Sequence, residues 1–376
     1  MSERNGITLV EVLVILFCIF VLLGLMLPAM VDDRSLSGRY LCLNNLRSIG
    51  IATINYETSK DQFPGYLADF GTFTGNTDPG DPDADPNVLV SHRKIGTWAV
   101  SLLPYLDQQA VYERWSEDRY PIALSGSKTC PMTSGECGDG YSMLAAPNIS
   151  VFICPEDETT DLQDGGRNSY VCNAGLHHSS TGGRVSFGQS MSAANGVFNN
   201  KFAGLGADGL PVAVGPKVTM EDLKDGLSNT LLVTENIHAM PWHRAGFTNA
   251  SDLVVPQDAS ETRYPSSSRY TQGIVWHFED TQGTSNASAV KPVHRINGVA
   301  PGKTLEQMNM TSQNAADLAR PSSFHPGVVH SVFADGSTRT LTDSIDYRVY
   351  QAILTPRGSE SDVPDPSFVL TDEIND

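Results

Sequence analysis

From Val12 to Met30 the chain carries no charged residue, and Leu, Val and Ile dominate. At 1.5 Å per residue, Val12 to Ala29 make about 27 Å of helix, close to the thickness of a bilayer core. The pattern predicts a membrane-spanning helix, with Gly24 as a small-residue contact point and Pro28 as the place where it kinks or ends. Beyond Pro28 the pattern changes. Leu36, Tyr40, Leu43, Leu46, Ile49 and Thr53 recur at helical spacing, with Asn44, Arg47, Ser48 and Asn55 between them. This second stretch is predicted to be an amphipathic helix lying against a globular head. Unbroken from Thr8 to Tyr56, the helix would measure about 70 Å, although Gly38 and Gly50 weaken its continuity.

Further along, short β-forming runs alternate with turn residues. Val328 to Phe333 and Thr338 to Leu341 flank Ala334-Asp335-Gly336-Ser337, and an Asp-Gly pair between such runs predicts a hairpin with a type I′ turn. Val329, Ser331 and Phe333 would share one face, with His330 and Val332 on the other. Asp225-Gly226, followed by Ser228, Asn229 and Thr230, reads as a polar turn feeding a strand from Leu231 to Glu235. With 33 glycines, 22 prolines and only 18% charged residues, the head is expected to be loop-rich and β-leaning. The fold class expected is α+β and pilin-like: a long N-terminal transmembrane helix, then a mainly antiparallel β head with long loops. The divisions are a leader at 1–6, a transmembrane and assembly helix at 7–31, its amphipathic continuation at 32–60, the head at 61–357 and an acidic tail at 358–376. Within the head, Gly75 to Asn87, Ser179 to Asn195 and Asp280 to Ala289 read as mobile polar insertions, and the tail as loose.

A net charge of −18 disfavours binding to phosphate backbones, so nucleic acid is not an expected partner. Arg4 precedes the apolar run while Asp32 and Asp33 follow it. That bias places the N-terminus in the cytoplasm and the head outside a single-pass cytoplasmic membrane protein. Of the six cysteines, Cys18 lies in the apolar run, and the odd remainder of Cys42, Cys130, Cys137, Cys154 and Cys172 cannot all pair within one chain. Cys130 and Cys137 could close a short local loop, while Cys154 has both Cys42 and Cys172 as partners to choose from. With no C-x-x-C pair and no common structural spacing, metal binding by cysteine is not expected.

Several groups could carry chemistry. His325 could bind a ligand or metal with Asp335, but one histidine and one aspartate are too few for zinc, and fixing the hairpin entry is the simpler role. Glu235 ends an apolar strand; without a second carboxylate at a defined spacing it reads as a hydrogen-bonded strand-end residue. Asp81, Asp83 and Asp85 resemble a calcium loop only until Pro86 and His92 occupy the positions of its glycine and glutamate. His177, His178, His238, His243, His277 and His294 show no metal-site spacing and read as surface or loop residues. No P-loop, dinucleotide fingerprint or nucleophile elbow is present. No enzyme activity and no cofactor are expected.

One carboxylate, Glu11, stands at the mouth of the apolar run, where ionised groups are costly. Gly6-Ile7-Thr8-Leu9-Val10-Glu11 resembles the processing site of type IV prepilins and type II secretion pseudopilins. That resemblance implies cleavage between Gly6 and Ile7 by a prepilin peptidase and methylation of the Ile7 amine. It also implies a role for Glu11 in attracting a neighbour's N-terminus during assembly. The resemblance extends through the chain. Cys42-Leu-Asn-Asn-Leu-Arg-Ser-Ile-Gly-Ile-Ala, Trp98-Ala-Val-Ser-Leu-Leu-Pro-Tyr-Leu-Asp-Gln-Gln, Val151-Phe-Ile-Cys-Pro, Asp225-Gly-Leu-Ser-Asn-Thr through Glu235, and His325 with Asp335-Gly336 are similar, in order, to the blocks of a large bacterial prepilin-like family of unknown function. That family tends to carry Cys42 and Cys154, which implies a bridge between them. The function implied is a pseudopilin-like structural subunit, with the membrane, the peptidase and other pilin-like subunits or copies of itself as partners. The family is also grouped with solute-binding proteins, so a tethered solute- or glycan-binding module is the alternative.

Overall fold

The computed structural model describes residues 8–73, 92–116, 146–157, 165–178, 185–202, 214–244, 266–283, 286–311 and 313–370. Gly6, Ile7, Cys130, Cys137, the Asp81 to Asp85 series and the Gly75 to Asn87 insertion lie outside these residues. Helix α1 (Leu9–Lys60) is one element of 52 residues, about 78 Å long. It starts on a capping box: the Glu11 N–H donates to the Thr8 hydroxyl, and the Thr8 N–H donates to the Glu11 carboxylate at 2.8 Å. Donors that the first turn leaves without intrahelical partners are thereby satisfied. At the other end Asp61 adopts a left-handed φ of 55° and donates its N–H to the Glu57 carbonyl.

The expectation of a transmembrane segment is corrected. Among the described residues no helix is long and apolar enough to cross a membrane. Asp32, Asp33, Arg34 and Arg39 lie within α1.

Strands β1 (Leu67–Phe73) and β2 (His92–Thr97) form an antiparallel ribbon, followed by helices α2 (Trp98–Leu102) and α3 (Gln109–Ser116). The central sheet comes next. It is built from β3 (Tyr170–Leu176), β4 (Leu231–Glu235) and β5 (Gly273–Trp276), with α4 (Phe187–Ser190) and α5 (Ser266–Thr271) between them. Two short strands, β6 (Glu279–Asp280) and β7 (Ser288–Ala289), and helix α6 (Ala315–Leu318) lead to the hairpin β8 (Val328–Phe333) and β9 (Thr338–Thr342). Helix α7 (Tyr347–Leu354) follows the hairpin. The strand order is β5-β3-β4-β8-β9. β3 pairs antiparallel with β4 but parallel with β5, and β6 pairs parallel with β7. The architecture is therefore α+β with mixed sheets, which corrects the mainly antiparallel head. Parallel pairing needs a long crossover, and the chain between β3 and β5 supplies one.

Alternation along these strands builds a core on each face of the sheet. Tyr170, Cys172, Val275 and Val332 point toward α1, where Cys42, Leu46, Ile49 and Ala52 form a completely buried stripe. Val171, Ile274, Trp276, Val329 and Phe333 point the other way and pack with Tyr347, Tyr350, Ile353 and Leu354 of α7. Gly50 has a packing reason to sit inside a helix. A Cβ at that position would overlap the Val332 side chain, so α1 lies closer to β8 than any larger residue would allow.

Three loop expectations are also corrected. Of the stretch from Ser179 to Asn195, residues 179–184 lie outside the described residues, and Val185 to Asn195 form α4 and a buried turn, because Phe187 and Ala194 have core to fill. Asp280 is buried in β6 and paired with Arg348 at 2.7 Å. The chain beyond Arg357 is fastened at Asp362, whose N–H donates to Asn195 Oδ1 at 2.9 Å. In the hairpin, Gly336 takes a φ of 80° while Asp335 is not among the positive-φ residues, so the turn is not type I′. The Gly336 N–H reaches the Phe333 carbonyl at 2.9 Å.

Candidate functional site

Four residues from separate parts of the chain meet between α1 and the central sheet. Cys42 comes from the buried stripe of α1. Cys154 follows the 3-10 turn Ser150–Phe152 and is joined to Cys42 by a disulfide across a sequence separation of 112. Glu235 is the last residue of β4, and His325 stands in the loop entering β8. All four are buried, and their potential ligand atoms lie within 4.8 Å of one another.

Each is held by its own supports. Glu235 Oε2 accepts the backbone N–H of His330 at 2.8 Å, leaving Oε1 directed at His325 Nε2, 3.2 Å away. His325 Nε2 is also 3.6 Å from Cys154 Sγ. The His325 N–H donates to Ser323 Oγ at 3.1 Å, and Ser323 Oγ in turn donates to the Val328 carbonyl at 2.7 Å. Gly327, at a φ of 70°, lets the chain reverse after Pro326. Ser169 Oγ accepts the Cys154 N–H at 3.0 Å and donates to Asp157 at 2.6 Å. Burial pushes the Glu235 carboxyl above its usual range, against the hydrogen bonds and charge of His325 and the His330 N–H. The arrangement brings a disulfide, a carboxylate and an imidazole together in a buried pocket, and reduction of the disulfide would complete a donor set suited to a thiophilic metal ion.

Asp335 is not part of this cluster. Its carboxylate accepts the Ser337 N–H at 2.9 Å and the Ser337 hydroxyl at 2.6 Å, steadying the hairpin turn. Asp225 accepts the Gly358 N–H and anchors the C-terminal segment. The two Asp-Gly turns are neighbours: the Asp335 N–H donates to the Leu227 carbonyl at 3.2 Å. Glu11 is occupied by Thr8 in its capping box. Glu235 and His325 thus partner each other rather than Asp335, a pairing that spacing along the chain does not reveal because 90 residues separate them.

The histidines read as surface or loop residues are corrected as well. His178, His243, His277 and His294 are buried. His277 and His294 stack at 3.5 Å with an interplanar angle of 5°. His294 bridges Glu279 at 3.0 Å and Asp317 at 2.8 Å. Burial opposes protonation of His294, but its bonds to Asp317 and Glu279 outweigh that and raise its pKa. Burial and the neighbouring His294 hold His277 well below the usual range.

An α+β domain clamped to a long helix by a buried disulfide, with a glutamate–histidine pair beside it, is the class of protein these features define. A family described as "Protein of unknown function (DUF1559)" matches residues 38–348, more than half of the chain, and the chain belongs to it. No curated protein and no solved structure matches.

Proposed function

We propose that this protein is a pilin-like structural subunit that associates through the N-terminal part of α1 and displays its head on that stalk. The observation carrying this reading is the stalk itself. Every side chain from Leu9 to Leu22 except Glu11 is uncharged, and large apolar ones are exposed on all sides of the helix: Leu9 at 79%, Leu16 at 60%, Phe20 at 78%. A helix that is apolar all round needs neighbours on every side. Stalks of other copies of the chain are the occupants proposed, because like helices offer the same apolar surface around a common axis. In this reading a prepilin peptidase cuts after Gly6, the Ile7 amine is methylated, and a neighbouring amine neutralises Glu11 once its capping contact is released. The Cys42–Cys154 bridge supports a head that works in an oxidising, extracytoplasmic compartment.

The test is cross-linking of the full chain carrying Leu16→Cys in a Cys18→Ser background. Oxidation is expected to yield dimers and higher species, and a chain that stays monomeric at high concentration overturns the reading. Glu11→Ala is expected to leave cleavage intact and reduce the cross-linked fraction.

A cleft of about 360 Å³ favours a second reading, solute binding by the head. It is lined by Arg167, Asn168, His238, Met240, Arg244 and Met310 among others, a set suited to an anionic solute. Equilibrium dialysis of the full chain against anionic sugars and carboxylates tests it; no uptake removes it.

A further inference from the structure

The disulfide between Cys42 and Cys154 does not need a glutamate and a histidine at its side, yet both are aimed at it. We propose that in the reduced protein Cys42, Cys154, Glu235 and His325 form a four-coordinate site for one zinc-like divalent metal ion, and that the disulfide is the oxidised, metal-free state of that site.

Geometry carries the argument. Tetrahedral zinc bonds of about 2.0–2.3 Å separate ligand atoms by roughly 3.3–3.8 Å. Two edges of such a tetrahedron already stand near that size: His325 Nε2 to Glu235 Oε1 at 3.2 Å and His325 Nε2 to Cys154 Sγ at 3.6 Å. The other separations lie within 4.8 Å. Cleaving the S–S bond lets the two sulfurs move apart, and small side-chain adjustments bring the remaining edges into range.

The donor set points the same way. Glu235 is a 2% exposed carboxylate, and a buried carboxylate needs a counter-charge or a metal. Its Oε2 is fixed by a backbone N–H, as outer partners fix metal ligands, while Oε1 faces the imidazole, with the sulfurs within 4.8 Å of the cluster's other ligand atoms. His325 turns Nε2 into the cluster, the atom a neutral imidazole would coordinate through. Two thiolates and one carboxylate around a dication leave one net negative charge. Arg39, one turn before Cys42 and close enough to His330 to depress its pKa, supplies a nearby cation. Cys154 and Glu235 also line a small cleft with Asp157, Ser169, Ser322 and Ser323.

The chemistry balances with a dithiol reductant of thioredoxin type. Its two thiols supply two electrons and two protons, the Cys42–Cys154 bond breaks to give two thiols, and the reductant becomes a disulfide. Metal binding then displaces both thiol protons into solvent.

The experiment is anaerobic titration of the reduced full chain, in a Cys18→Ser background, with Co²⁺ alone. One Co²⁺ per chain with the visible bands and sulfur charge-transfer absorption of a tetrahedral thiolate site is expected, with displacement by Zn²⁺ and no such spectrum in the oxidised protein. Cys42→Ser and Cys154→Ser should abolish the spectrum, and Glu235→Gln and His325→Gln should each weaken binding by about tenfold or more. A reduced chain that keeps its circular dichroism but develops no such spectrum overturns the proposal. So does a spectrum unchanged when Glu235→Gln and His325→Gln are combined. Should the variants fail to fold, alkylation of the reduced Cys18→Ser chain, read by peptide mass, decides. Zn²⁺ is expected to slow modification of Cys42 and Cys154 at least about tenfold, and no protection overturns the site.

Discussion

The two parts of α1 obey the same helical geometry and live in opposite environments. From Leu9 to Leu22 the side chains are exposed; from Cys42 to Thr53 a stripe is completely buried against the central sheet. In the second part, polar residues lie between the buried positions and only one face is committed. In the first, apolar residues surround the axis, and the head offers them nothing. The family match begins at residue 38, so the buried part lies inside the matched span and the described exposed part outside it. One helix therefore has two environments: its second part stabilises this chain, and its first part is the surface that the proposed association of stalks would cover.

Substitution of a buried against an exposed leucine is the sharpest way to break this comparison. Leu46→Asp buries an unpaired carboxylate and should cost about 5 kcal/mol or more, enough to unfold the head. Leu13→Asp, placed in the Leu16→Cys, Cys18→Ser chain, should leave the head's thermal unfolding unchanged and remove stalk cross-linking, because Leu13 is exposed. Equal loss of head stability in both variants would erase the distinction.

Between pH 6.5 and 5.5 acid should act through the head, since α1 contains no histidine. Burial lowers the pKa of His178, His238 and His243 to about 3 and of His330 to about 4, with smaller contributions from neighbouring cationic groups. The unfolded chain, with histidine pKa near 6.5, binds more protons below that value. The stability these groups contribute is therefore complete above pH 6.5 and declines as pH falls. His294, whose pKa is raised, works the other way: its contribution is present below 6.5 and fades as pH rises through its folded pKa. From pH 6.5 to 5.5 His178, His238, His243 and His330 together should lose roughly 4 kcal/mol, and His177 and His277, also held well below the usual range by burial, act in the same direction; the loss is seen as a lower denaturation midpoint. A midpoint that rises on acidification would contradict these assignments.

Cutting the covalent link between α1 and the head should cost less. Cys42→Ser in metal-free buffer opens a loop of more than a hundred residues and should lower stability by about 3 kcal/mol, read by denaturant titration. The smallest effect is expected at Gly50. Replacing an exposed helical glycine by alanine gains up to about 1 kcal/mol, but at Gly50 the new methyl overlaps Val332. Overpacking should reverse the sign, to a loss of about 1 kcal/mol. A stabilised Gly50→Ala protein would show that α1 has room to move off the sheet.

Local features were legible from the residues. The spacing of Tyr40, Leu43, Leu46 and Ile49 is helical because helical geometry repeats every 3.6 residues, and the Asp335-Gly336 turn between two β-forming runs is a short-range signal. Apolarity alone was less informative. It marked Val12 to Met30 as special but could not distinguish a bilayer from other apolar surroundings. Polarity misled in the loops: Phe187, Asp280 and Asp362 sit in segments whose composition suggested mobility, and each is fastened by a distant residue.

By itself, the sequence determined the period of α1, the alternation within the strands and the position of the hairpin, because these depend on neighbours a few residues away. Only the tertiary structure decided which part of the helix is buried, that the sheet is mixed, that His277 stacks on His294, and that Cys42, Cys154, Glu235 and His325 share one pocket. Those outcomes depend on contacts between residues far apart in the chain. Their closeness is set by packing rather than by spacing, and no local pattern encodes it.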